Sequence, residues 1–183
     1  MTQPTTSAAL LLALLHYERA NLLTQFESIP ETLRAVSAGN GESESGWSAA
    51  QIIEHCARVE GNVARMIAKG PEMPRTATDL ELQAAVLTER TIGWVRERTT
   101  KVEAPERVRP TGTLDADAAI TQLQASRAAL LEAFATTDNA VLDGVAFPHP
   151  FLGPLTLRSW VELTAHHDAR HAAQMAELKS SRE

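Results

Sequence analysis

TLRSWVELTAHHDARHAAQMAELK, residues 156–179, is the stretch whose reading decides the fold. Taken as a helix, it carries an apolar seam of Leu157, Trp160, Thr164, His167, His171, Met175 and Leu178, in steps of three and four. Thr156 is placed as its N-cap, and Leu155 with Trp160 forms the hydrophobic staple around that cap. The seam puts His167 and His171 on the core-facing stripe, one turn apart, with Cβ atoms about 5–6 Å from each other. Three of the chain's six histidines fall in this helix, but His166 lies about 100° round from His167 and leaves the stripe.

The rest of the chain supplies helices for this one to pack against. A first segment runs from about Ser7 to Ser28, with Leu11, Leu15, Leu22, Phe26 and Ile29 at helical spacing. Pro30 ends it and opens a short turn to about Val36, and a polar Gly/Ser loop covers 37–46. The second segment opens on Trp47 and Ser48, where Ser48 and Gln51 form a capping box and Trp47 with Ile52 a staple. It runs to about Lys69, before Gly70 and Pro71. A third segment is expected over Asp79–Thr99. A fourth starts near Asp115 or Asp117 and runs to Ala135, followed by a long loop over 136–155. No stretch shows period-2 alternation. The expected architecture is an all-α four-helix bundle with short extra helical turns, one domain over 1–183.

On the second segment, His55 lies beside the apolar positions Ile52, Cys56, Val59, Val63 and Met66. One histidine from the second segment and two from the fifth therefore face the interior. A lone inward histidine is best explained by a hydrogen bond to a neighbour. Three together leave nitrogen lone pairs that need donors, and one divalent cation satisfies all of them. His55, His167 and His171 are the expected metal ligands, with positions left open for water or substrate. Other metal templates fail on detail. A zincin needs HExxH, and Asp168 follows His167. A di-iron bundle needs Glu-x-x-His, and Glu162 stands four before His166. Cys56, adjacent to His55, is read as a small buried apolar residue.

These residues resemble a known family. The stretches GWSAAQIIEHCARVE (46–60) and HPFLGPLTLRSWVELTAHHDARHAAQM (149–175) are similar to the DinB/YfiT-like superfamily of bacterial four-helix-bundle metalloenzymes. The likeness rests on Trp47 and Ser48 with His55 seven residues after the serine. It continues through His149, Pro150, Gly153, Leu155 and Thr156 to His167, Arg170, His171 and Gln174. It implies a three-histidine site at His55, His167 and His171 that takes nickel, zinc or another divalent ion. It also implies a homodimer and, in some members, S-transfer or isomerisation with bacillithiol, mycothiol or glutathione. Many members have no known activity, so the resemblance supports fold and site more firmly than reaction.

The first functional expectation is a metal-dependent enzyme, a low-molecular-weight thiol S-transferase or related hydrolase. The alternative is a non-catalytic metal-binding bundle acting through a protein partner; a third is metal-free packing of the histidines. No general base stands out. Asp168 and Glu54 are expected to be solvated helix residues, and Arg170 to sit in a surface or interhelix ion pair. His149 is expected near the site mouth, either bracing its Pro-rich turn or touching substrate.

Bulk properties narrow the partners. The net charge of −6 argues against nucleic acid. The single cysteine allows no internal disulfide and fits a reducing cytoplasm. AALLLALLHYERA (8–20) lacks a preceding basic segment and a cleavage site and is too short to span a bilayer, so it is read as a core helix with no membrane role. Surplus apolar residues, among them Leu12, Leu14, Leu23, Ile92, Trp94 and Val95, suggest a homodimer face.

Overall fold

A computed structural model describes residues 7–37, 46–75, 77–100 and 102–181. Most of the expected 37–46 loop lies outside the described residues. Four long helices are present: α1 (Ala8–Glu27), α2 (Ala49–Ala68), α5 (Ala116–Thr136) and α7 (Leu157–Ser180). Between them lie short helices α3 (Asp79–Ala84), α4 (Glu89–Arg96) and α6 (Asn139–Gly144), and a hairpin of β1 (Ala146–His149) and β2 (Gly153–Thr156). Single 3-10 turns cover Glu31–Leu33, Gly70–Glu72 and Glu106–Val108. No helix among the described residues is long and apolar enough to cross a membrane.

The expected caps are in place. Ser48 and Gln51 exchange both bonds of the capping box that starts α2, the Ser48 N–H donating to Gln51 Oε1 at 2.8 Å. Thr156 caps α7, and its side chain accepts from the Ser159 N–H. Asp115 caps α5 through the Ala118 N–H at 2.8 Å.

Two expectations are corrected. The third segment is not one helix, because its chain breaks between Ala85 and Thr88. There the Ala85 carbonyl accepts the Thr156 N–H at 2.8 Å, so it is spent on the start of α7 and not on a helical turn, and Thr88 caps α4. The 136–155 loop holds α6 and an antiparallel hairpin in the register Ala146↔Thr156, Phe147↔Leu155, Pro148↔Pro154 and His149↔Gly153. Its strands read as loop because two facing prolines give the ladder no N–H at that pair, and Gly153 turns with φ +77°.

The apolar core comes in two clusters. One joins Leu11 and Leu15 of α1, Val63 and Ile67 of α2, Leu130 and Phe134 of α5, and Leu157 and Val161 of α7. The other joins Leu22 and Phe26, Ile52 and Ile53, Leu123, and Met175 and Leu178. Numbers therefore rise from the first cluster to the second along α1 and α7, and fall back along α2 and α5. The helices run up-down-down-up. The one parallel step, from α2 to α5, is the reason that these two helices need the long crossing that carries α3 and α4.

Between the clusters lies a buried charged layer with one residue from each long helix. Arg19 donates to Asp168 at 2.9 Å and to Glu60 at 3.0 Å, and Arg127 donates to Glu60 at 2.7 Å and to Asp168 at 3.0 Å. Ser126 Oγ adds a bond to Glu60 at 2.7 Å. Asp168 and Glu54, expected to be solvated, are each 2% exposed. For Asp168 the reason is the place of α7: packed by α1, α2, α4 and α6, it buries nearly every side and not one stripe. Of the surplus apolar residues, Val95 is buried and the other five are partly buried against the chain's own core. On α1, Leu10 and Tyr17 stay exposed.

Candidate metal centre

α2 presents His55 two turns after its capping box, and α7 presents His167 and His171 one turn apart. The structure brings these three rings together. His167 Nε2 lies 3.1 Å from His55 Nε2 and 3.1 Å from His171 Nε2. The rings stand edge-on or tilted to one another, with centroids 4.4–5.0 Å apart. His55 and His171 are buried, while His167 is partly open to a cleft.

The outward nitrogens are tied down. His55 Nδ1–H donates to the Val108 carbonyl at 2.7 Å, and His171 Nδ1–H donates to Gln174 Oε1 at 2.6 Å. Both acceptors fix the tautomer, so each ring aims a bare Nε2 lone pair inward. A single proton on His167 Nε2 serves one of those lone pairs at a time. The donor set thus fits a cation better than a proton. Nitrogens sharing one metal at 2.0–2.1 Å stand about 2.9–3.3 Å apart between octahedral and tetrahedral angles, which brackets the observed spacing.

Burial and neighbouring charge keep the site neutral. His55 is depressed to about 4, chiefly by burial and further by Arg58, against the opposing pull of Val108. His167 and His171 lie well below the ordinary histidine value, again through burial first. Neutral imidazoles at physiological pH are what a metal requires.

The supporting residues were not foreseen. Val108 comes from the crossing between α4 and α5, fifty-three positions after His55. That crossing is held by Glu54, whose carboxylate accepts the Thr111 N–H at 2.8 Å and the Gly112 N–H at 3.3 Å. Gly112 has φ +71°, and a Cβ there would meet Gln51 at 3.1 Å, so glycine suits this position. No sequence spacing announces such a contact. Gln174, at i+3 from His171, was within reach of helical geometry.

Other expected positions sort differently. His149 Nδ1 accepts the Phe151 and Leu152 N–H groups, both at 3.2 Å, bracing the hairpin turn. Its ring also lines the cleft beside Trp160, with centroids 4.9 Å apart. It serves the turn and the cavity wall together. Arg170, expected in an ion pair, is turned toward the segment that ends α4. It donates to the backbone carbonyls of Val95, Glu97 and Thr100, closing the C-terminal end of α4. His166 points away from the site, and its Nδ1 accepts from Arg96 at 3.0 Å. Cys56 is buried in the apolar core as expected. It also lies close to His167 and Asp168, but Asp168 is committed to two guanidinium groups, so that trio is the poorer cation site.

The cleft over the histidines has a volume of about 410 Å³. Its walls are mainly apolar, including Val59, Val63, Met66, Trp94, Phe147 and Leu163.

Comparison with known proteins bears on the fold and the family. A relative, "Uncharacterized protein YuaE" of Bacillus subtilis (strain 168), is 25% identical over 138 residues, which cover 75% of this chain and 80% of that protein. A solved structure described as "TT2238, a four-helix bundle protein" superposes with a TM-score of 0.58 at 21% identity, covering 93% of this chain and 98% of that one; it bears on the fold alone. The model of the DinB superfamily matches residues 14–175, a span that holds all three site histidines, and the chain belongs to that superfamily.

Proposed function

We propose that the protein is a divalent-metal-dependent enzyme, with nickel or zinc held by His55, His167 and His171. The observation that carries this is the convergence of three Nε2 atoms, 3.1 Å apart in two pairs, at the floor of an apolar cleft. A merely structural ion is held in a closed shell of four protein ligands, whereas three histidines under a cavity leave coordination positions facing a ligand. When bound, a divalent cation supplies Lewis acidity, lowering the pKa of a thiol or water that it holds.

The chain's own residues do the rest. Val108 and Gln174 fix two of the three rings, so the site needs no rearrangement to accept a cation. His149, with Nδ1 taken by the hairpin, keeps its proton on Nε2 and offers a donor to a bound substrate from the cleft wall. The apolar walls exclude water from an electrophile. This chemistry suits transfer of a low-molecular-weight thiol to an electrophile, or a related hydrolysis.

The test is turnover by protein loaded with nickel or zinc. Glutathione, bacillithiol and mycothiol are each paired with an aryl halide electrophile, and an activated ester is tried alone. Turnover by the wild type, and none in the triple alanine variant of His55, His167 and His171, is the expected result. Full metal loading with no turnover across the panel would favour the alternative, a metal-holding bundle that acts through a partner.

A further inference from the structure

The cleft has a direction. Along α2 its lining runs from His55 to Lys69, about 21 Å at the helical rise of 1.5 Å per residue. Along α7 it runs back from His171 to Trp160, about 16 Å by the same rise. The histidines thus sit at one end, at the level of the buried charged layer, and the other end opens past the first apolar cluster. A space of this length with valine, methionine, leucine and aromatic walls fits an extended body better than a compact one.

Its charge is inverted relative to the chain. The protein carries −6 overall, yet the lining holds Arg65, Lys69, Arg107 and Arg170 against one acid, Glu103. Arg65 and Lys69 are exposed at the end far from the histidines. Arg65 donates to Asn62, a neutral partner, and keeps its charge uncompensated by that bond. Phe151, at the hairpin tip, is 52% exposed and also lines the cleft. Cations grouped at one mouth of an apolar trough attract and orient a ligand with an anionic end.

We propose that the substrate is an elongated amphipathic anion: an apolar chain along α2 and α7, an anionic group at Arg65 and Lys69, and the reacting group at the histidine floor. The placement of the reacting group rests on the metal-enzyme reading above; the charge and length preference rests on the cleft alone.

The test separates the two. On EDTA-treated full-length protein, calorimetry compares n-alkyl carboxylates, alcohols and ammonium ions of matched chain length. The expected order of affinity is carboxylate, then alcohol, then ammonium, strengthening as the chain lengthens. In the Arg65→Gln/Lys69→Gln double variant, checked for fold by circular dichroism, the carboxylate advantage drops by about fivefold, the size of one favourable exposed ion pair. Equal binding of carboxylate and ammonium, or an advantage that survives the double substitution, overturns the proposal. On metal-loaded protein, alkyl hydroxamates with and without a terminal carboxylate are then compared. The terminal carboxylate is expected to help only in chains long enough to reach Lys69; help that is the same at every length overturns the proposed orientation. No gain in hydroxamate affinity on metal loading would count against the metal reading and leave the first comparison to decide the charge preference.

Discussion

His167 and Asp168 are adjacent in sequence and serve two different sites. His167 Nε2 stands 3.1 Å from the Nε2 atoms of both His55 and His171. Asp168 Oδ2 accepts from Arg19 at 2.9 Å and Arg127 at 3.0 Å. One residue step turns a side chain about 100° round a helix. That step places the histidine at the cleft and the carboxylate among the guanidinium groups of α1 and α5. The turn of α7 that carries the candidate ligands is therefore anchored to the other long helices by charge as well as by packing.

Removing that carboxylate should be costly. Asp168→Ala leaves Arg19 and Arg127 short of a buried partner, and breaking one side of a buried ion network typically costs about 3–5 kcal/mol. Urea unfolding of the metal-free protein reads this directly. A loss below about 1 kcal/mol, the range of exposed pairs, would mean that the layer is solvated.

Much of the frame was legible in the sequence. The helix starts at Ser48, Asp115 and Thr156 follow from side chains that bond their own backbone, and local chemistry is what a sequence displays. The three histidines were legible for a similar reason: helical periodicity alone sets their faces. Asp168 and Glu54 were misread because charge was taken to mean solvent. Their burial depends on arginines and backbone amides contributed by distant segments. The hairpin was missed because Pro148 and Pro154 hide a strand pair from any propensity argument, and the α3–α4 break because the Ala85 carbonyl is claimed by a residue seventy-one positions away.

The ligand set has its own test. His171→Ala should abolish stoichiometric nickel or zinc after dialysis at neutral pH, as read by elemental analysis. A full equivalent retained by the triple variant of His55, His167 and His171 would place the site elsewhere.

Gln174 is predicted to act through His171. Its Oε1 accepts the His171 Nδ1–H at 2.6 Å. Gln174→Leu keeps much of the side chain's volume and removes the acceptor, so metal affinity should fall about 10–100-fold, measured by chelator competition. Unchanged affinity would show that packing alone orients the ring.

Quaternary structure is a separate expectation. With most of the surplus apolar residues packed internally, a homodimer rests on the outer face of α1, where Leu10 is 66% and Tyr17 70% exposed. Light scattering should give a mass near twice 19.8 kDa, and Tyr17→Glu should halve it. A monomeric wild type at micromolar concentration would remove the proposed dimer.

Acid should destabilise the metal-free protein well above the range where carboxylates titrate. His149 and His166 are each depressed from 6.5 to about 4, chiefly by burial, with Arg107 acting on the first and Arg96 on the second. His55 is depressed to about 4 as well. The sign follows from proton counting. Above the unfolded value, both states hold these rings neutral and nothing is lost. Between 6.5 and about 4, the unfolded chain takes up protons that the folded chain refuses, so stability falls as pH falls. Below that window both states are protonated and this contribution levels off. Asp168, pushed upward by burial, titrates with the opposite sign, so the comparison that isolates a histidine is between variants. His166 lies off the metal centre; its Nδ1 accepts from Arg96 at 3.0 Å, and its Nε2 stands 4.0 Å from Glu162 Oε1. His166→Gln should flatten the pH dependence of unfolding free energy between pH 6 and 5 by up to about 1.4 kcal/mol per pH unit, the weight of one proton. Urea unfolding at several pH values within that interval checks it. Parallel curves for the two proteins would show that His166 titrates alike in the folded and unfolded chains, and that its burial carries no linkage.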